Sequence, residues 1–163
     1  MANPIYTAYA TVTGGRAEGH GRANDGKLDV QLRMPKELDP NSDAAGTNPE
    51  QLFAAGWSAC FEGAMGIAAR RMKLSLPADL AIDAEMDLNL ADGAYFLRAR
   101  LNVSLPGIER EVAQALVNAA HQTCPYSKAT RGNIDVAINL ILDGRTILPA
   151  GVYPSGHLDQ SAG

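Results

Sequence analysis

Between Leu52 and Ala69 the chain reads LFAAGWSACFEGAMGIAA, with Glu62 as its only charge. A helix that is apolar nearly all round has to be buried, either in a protein core or in a membrane. Gly56, Gly63, Gly66, the many alanines and Glu62 keep its hydropathy low for a membrane span, so a core helix is expected. Thr47-Asn48-Pro49-Glu50 opens it, with Asn48 as N-cap and Pro49 at the first helical position. Arg70, Arg71 and Lys73 suit its negative C-terminal end. One sheet face cannot cover such a helix on every side. A second subunit packed against it is the simplest remedy, and a homodimer is expected.

The flanking segments supply the sheet. Ile5–Val12 alternates, with Tyr6, Ala8, Ala10 and Val12 on one face, and predicts a strand. After Gly14-Gly15, the glycine-rich run Arg16–Arg22 predicts a second strand at a sheet edge. Asn24-Asp25-Gly26 is a hairpin signal leading to Leu28, Val30 and Leu32 on a third. Met34–Gly46 reads as loop. Leu80–Leu90 and Tyr95–Leu105 alternate about Asp92-Gly93 as a hairpin. Leu80, Ile82, Ala84, Met86, Leu88 and Leu90 face inward with Tyr95, Leu97, Ala99, Leu101, Val103 and Leu105. Asp83, Glu85 and Asp87 face Arg98 and Arg100 on the outer side. Pro106-Gly107 ends the hairpin, and Ile108, Val112, Leu116 and Ala120 then mark an amphipathic helix running into Cys124. Ile134–Leu142 is a last strand, and the tail from Gly144 onward shows no period. The pattern predicts one α+β domain over 1–163, with antiparallel sheets packed around a long buried central helix and 144–163 as a C-terminal extension.

Other features narrow the function. A net charge of −4 with no Lys/Arg cluster argues against nucleic-acid binding. The N-terminus MANPIYTAYATV has neither a basic nor a strongly apolar signal region. Two cysteines, Cys60 and Cys124, make no disulfide framework and no CxxC zinc pattern, so a cytoplasmic protein is expected. If they meet, redox chemistry is the better reason. His121-x-x-Cys124 lacks two further ligands, so no metal is expected. His20 and His157 read as surface residues.

Cysteine reacts as thiolate, and apolar burial works against that form. A reactive Cys60 therefore needs a cation. None lies near it on its own helix, where the first is Arg70. Arg16, Arg22 and Arg131 are candidates, with Glu50 or Glu62 as the carboxylate that would fix the guanidinium. Glu50, ten residues from Cys60, would lie about 15 Å away along a straight helix, so contact would need a kink, a bridging arginine or another chain. Cys124-Pro125-Tyr126-Ser127 copies the active-site tetrapeptide of monothiol glutaredoxins. There the cysteine opens a helix after an early strand, whereas here it is expected to end one.

Two stretches taken together, GTNPEQLFAAGWSACF (46–61) and HQTCPYSKATRGNIDV (121–136), resemble the signatures of the organic hydroperoxide resistance proteins, the Ohr branch of the Ohr/OsmC superfamily. TGGRAEG (13–19) resembles that family's arginine loop. Trp57 stands where the family often has tyrosine. The resemblance implies an intertwined OsmC/Ohr-like homodimer with active sites at the subunit interface. It implies Cys60 as peroxidatic and Cys124 as resolving cysteine, Arg16 as the residue stabilising the thiolate and Glu50 as its anchor. Phe53, Trp57, Phe61 and Met65 would line an apolar pocket for alkyl and fatty-acid hydroperoxides. The Cys60–Cys124 disulfide would be reduced by a dithiol such as a lipoyl group, without cofactor or metal. An OsmC-branch peroxidase and a non-enzymatic redox-sensing or ligand-binding dimer that switches through Cys60 are the alternatives.

Overall fold

The computed structural model describes residues 3–155, the side chains of 146–149 excepted. His157 and the end of the tail lie outside the described residues. The chain forms two compact units, one up to Leu52 and one from Phe53 onward.

The first unit holds β1 (Ala10–Thr13), the single turn α1 (Gly15–Glu18), β2 (His20–Ala23) and β3 (Asp29–Gln31), in sheet order β1-β2-β3. The expected first strand is cut down to its second half. Its partner β2 is only four residues long, so Ile5 and Tyr6 have no strand to pair with and are exposed. The second strand begins only at His20 and is central, not an edge. Gly14 and Gly15 have φ of +73° and +67°, which turns the chain into α1 before the strand can start. The loop 34–46 returns through a parallel bridge between Leu32 and Thr47.

α2 (Pro49–Met72) is continuous, and Asn48 caps it by accepting the Gln51 N–H at 2.9 Å. It is long and apolar enough to cross a membrane by length and composition alone. In the fold it is a core helix, with Trp57, Phe61 and Met65 completely buried. Ala55, Ala59, Glu62 and Gly63 form an exposed stripe on it.

The second unit holds a four-stranded sheet, β4 (Ala81–Ala91), β5 (Ala94–Ser104), β6 (Asp135–Leu142) and β7 (Arg145–Tyr153), in that order. Asp92 and Gly93, with φ of 50° and +77°, make the two-residue turn that joins β4 to β5 in the register Ala91↔Ala94. On the outer face Arg100 reaches Glu85 at 2.7 Å and Asp87 at 2.6 Å. Such half-exposed cross-strand pairs contribute at most about 1 kcal/mol each. Leu90 and Tyr95, expected inward, are exposed, because the packed core covers only the part of the hairpin away from its turn.

Not every pairing is antiparallel. β6 runs parallel to β5. The intervening α3 (Arg110–Thr123) and α4 (Pro125–Thr130) form a crossover that brings the chain back to the end of the sheet where β5 began. The tail also departs from expectation, since it supplies β7, antiparallel to β6 from Val136↔Tyr153 to Leu142↔Arg145. Register shifts on either side of Asn139 obscure its alternation, and Pro149, which has no N–H, is tolerated because β7 is an edge. The core joins Trp57, Phe61 and Met65 of α2 to Leu101 and Val103 of β5, Leu116, Val117 and Ala120 of α3, and Ile138 and Leu140 of β6.

Candidate active site

Cys124 occupies the joint between two helices. Its N–H donates to the Ala120 carbonyl at 2.8 Å and closes α3, while its side chain caps α4 by accepting the Ser127 N–H at 3.5 Å. Pro125 takes the first helical position, where a missing N–H costs nothing. The sequence predicts that Cys124 ends a helix. It ends one and opens another, so the local setting of the CPYS tetrapeptide is closer to the glutaredoxin arrangement than expected, although its place late in the chain is not.

α2 carries Cys60 to the same point. The two sulfurs are 3.4 Å apart and both are free thiols, Cys124 buried and Cys60 half-buried. A disulfide needs about 2.05 Å, so closure requires an approach of about 1.3 Å. Burial pushes the Cys60 thiol above its ordinary pKa; a hydrogen bond from the Tyr126 backbone opposes this, and the neighbouring Cys124 adds to the rise. These immediate surroundings disfavour the Cys60 thiolate, so the need for a cation inferred from sequence stands.

Arg16 of α1 and Glu50, in the first turn of α2, form an ion pair. Nη2 donates to both carboxylate oxygens, at 2.7 and 2.6 Å. Gly19 closes the α1 turn so tightly that a Cβ there would meet the Gly15 carbonyl oxygen at 1.9 Å. Arg16 Nε is buried and has no partner among the described residues. Of the other candidates, Arg131 donates to the His121 carbonyl at 2.9 Å, Arg22 lies on β2 opposite Asp29, and Glu62 is exposed. Among the described residues Arg16 alone of the three arginines forms an ion pair.

Phe53, Trp57, Phe61 and Met65 recur every four residues along α2, one turn apart. Phe53 is half-buried; Trp57, Phe61 and Met65 are wholly enclosed. Phe53 meets Trp57 and Tyr126 edge to face, with ring centroids 5.7 and 5.8 Å away. Tyr126 and Ser127 were not singled out from sequence, although they belong to the CPYS tetrapeptide that was. The Tyr126 hydroxyl lies over Gly56, where a Cβ would come within 3.1 Å of it, and Gly56 stands one turn before Cys60. No group of three or more His, Cys, Asp or Glu suited to a metal occurs among the described residues.

His121 is the buried polar residue with least support. It is 1% exposed, neither ring nitrogen has a partner among the described residues, and its ring lies against Tyr153 at 4.1 Å between centroids. Burial, helped by the charge of Arg131, lowers its pKa to about 4. The folded state thus keeps the ring neutral, while the unfolded chain takes up a proton near pH 6.5. Stability should fall as pH drops from about 6.5 to about 4, by about 3 kcal/mol in all. Urea unfolding across that range should show the slope, and His121→Phe, which keeps a ring against Tyr153, should remove it.

Comparison with known proteins shows the family. The OsmC-like protein family pattern matches residues 40–139. The organic hydroperoxide resistance protein of Xanthomonas axonopodis pv. citri (strain 306) is 48% identical over 143 residues, covering 86% of this chain and 99% of that one. The crystal structure of an organic hydroperoxide resistance protein from Legionella pneumophila superposes with a TM-score of 0.78 at 41% identity, covering 85% of this chain and 98% of that one. The crystal structure of OhrB of Bacillus subtilis gives a TM-score of 0.74 at 43% identity, covering 85% and 100%. The chain belongs to the OsmC-like family, in its organic hydroperoxide resistance branch.

Proposed function

We propose that the protein is a thiol-dependent peroxidase that reduces organic hydroperoxides to alcohols. The observation that carries this reading is the pair of free sulfurs, Cys60 and Cys124, 3.4 Å apart at the meeting point of three helices. The Cys60 thiolate attacks the distal oxygen of ROOH; with one proton taken up, ROH leaves and Cys60 becomes a sulfenic acid. The Cys124 thiol condenses with it, forming the disulfide and releasing water. To Arg16, oriented by Glu50, we assign the positive charge that the Cys60 thiolate requires. An external dithiol, such as a lipoyl group, restores both thiols by exchange. The sequence of steps needs no bound cofactor.

Phe53 and Tyr126, backed by the enclosed Trp57, Phe61 and Met65, offer the apolar wall we assign to alkyl and fatty-acid chains. The working form is a cytoplasmic homodimer. Support comes from the exposed stripe Ala55, Ala59 and Gly63 on an otherwise apolar helix, and from the exposed Ile5, Tyr6, Tyr9 and Val12. Small residues let a second helix approach closely, and the apolar ones need cover. Sedimentation should give twice the mass of a 17.2 kDa chain.

Steady-state turnover tests the catalytic reading. tert-Butyl and fatty-acid hydroperoxides should be consumed faster than hydrogen peroxide, with dihydrolipoamide a better donor than thioredoxin. Oxidation of a single equivalent without turnover, with every donor tried, would instead mark a redox switch.

A further inference from the structure

A fully buried polar contact lies beside the cysteine pair. Trp57 is completely buried, and its indole N–H donates to Ser127 Oγ, also completely buried, at 3.2 Å. The backbone N–H of Ser127 in turn donates to Cys124 Sγ at 3.5 Å. Trp57 stands three residues before Cys60, on nearly the same face of α2. Packing alone does not call for an indole here, since phenylalanine or leucine could fill an apolar site. A buried indole N–H demands an acceptor, and it can only donate. The acceptor it finds is the side chain of the residue whose backbone holds the second sulfur.

We propose that Trp57 and Ser127 are a positioning pair that ties the first turn of α4 to α2 and so holds the Cys124 sulfur in line for closure onto Cys60. This rests on the peroxidase reading for its purpose, though not for its geometry. Ser127 is the third residue of α4, where helical N–H groups have no partner within the helix. Fixing its side chain fixes that N–H, and the N–H fixes the rotamer of Cys124. The gain is a high effective concentration of one sulfur at the other, which speeds an intramolecular step. During turnover the competing reaction is a second peroxide, which converts Cys60 sulfenic acid to sulfinic acid and releases another ROH.

Ellman's reagent tests the tie without relying on peroxidase activity. Cys60, the more accessible thiol, attacks the reagent, forms a mixed disulfide and releases one thionitrobenzoate. Cys124 thiolate then displaces the second thionitrobenzoate from Cys60 and leaves the internal disulfide. The second release, followed by stopped-flow absorbance, is the closure rate. Trp57→Phe and Ser127→Ala should each slow it by about tenfold, and the double variant should be no slower than the slower single one. Ser58→Ala, which loses a hydroxyl bond to Ala54 on the same helix, is the control and should close at the original rate. Closure within about twofold of the original in both single variants would overturn the proposal, as would slowing that simply multiplies in the double variant. A second arm uses cumene hydroperoxide and mass spectrometry. Both variants should accumulate more Cys60 sulfinic acid per turnover. No turnover by the unsubstituted protein would refute the peroxidase reading and leave the Ellman result to decide the tie.

Discussion

Cys60→Ser is expected to abolish dithiol-dependent hydroperoxide consumption, with a loss of at least about a thousandfold, because an alcohol at this site has neither the acidity nor the nucleophilicity of a thiol. Cys124→Ser should behave differently. Its Cys60 is still oxidised once, but the sulfenic acid has no neighbour at 3.4 Å to condense with. That variant should consume about one equivalent of peroxide and then stall or advance to sulfinic acid. Peroxide consumption per mole of protein, with intact-mass spectrometry of the product, separates the two outcomes. If Cys60→Ser kept its turnover, the nucleophile would have to be sought elsewhere.

The second large effect is expected at Arg16. Burial already raises the Cys60 pKa, and Cys124 raises it further. Removing the guanidinium with Arg16→Ala should slow Cys60 oxidation at neutral pH by about a hundredfold, in line with losing a charged group that stabilises a reacting anion. Arg16→Lys keeps the charge but loses the planar fork that grips Glu50, and should fall between the two. The sign of the pH effect follows. Thiolate is the reactive form, so a higher pKa shifts the rising limb of the rate profile to higher pH, and Arg16→Ala should recover part of its rate in alkali. Glu50→Gln should shift the limb in the same direction by less, since it frees the arginine without removing it. A limb that stays in place in Arg16→Ala would show that the arginine does not serve the thiolate.

Much of this architecture can be read from patterns of two kinds. Period-two alternation located β4, β5 and β6, and the cap residues Asn48 and Pro49 located the start of α2. These signals are local, and tertiary packing did not override them. The misses were of relations between elements. That β6 lies parallel to β5 depends on where α3 delivers the chain, which alternation in either strand does not record. The strand β7 was hidden by Pro149 and Gly151, yet Asp143-Gly144 between Leu142 and Arg145 is the same turn signal that was recognised at Asp92-Gly93. Exposure of Leu90 and Tyr95 reflects how far the core reaches, a matter of layer size and not of sequence period.

At the site, the requirement for a distant cation followed from thiol chemistry, but the choice among Arg16, Arg22 and Arg131 did not. The pairing of Arg16 with Glu50 depends on the one-turn α1 that Gly14, Gly15 and Gly19 permit, whereas the sequence pattern of that run predicts a strand. Trp57, read from sequence as core or pocket wall, is enclosed with its N–H committed to Ser127. An indole in an apolar run signals that an acceptor must exist, but sequence does not say which residue supplies it.

The double role of Cys124 at its joint bears on how the oxidised protein is returned to work. Its backbone is held from both sides, by the Ala120 carbonyl before it and by the Lys128 N–H after it. In the proposed cycle the short journey to Cys60 would therefore fall to side-chain rotation. Cys124 faces no solvent, whereas Cys60 does in part. In the proposed cycle a reductant arriving from outside would meet the Cys60 sulfur first, so the mixed disulfide would form there and Cys124 would depart as thiolate into the hydrogen bond from the Ser127 N–H.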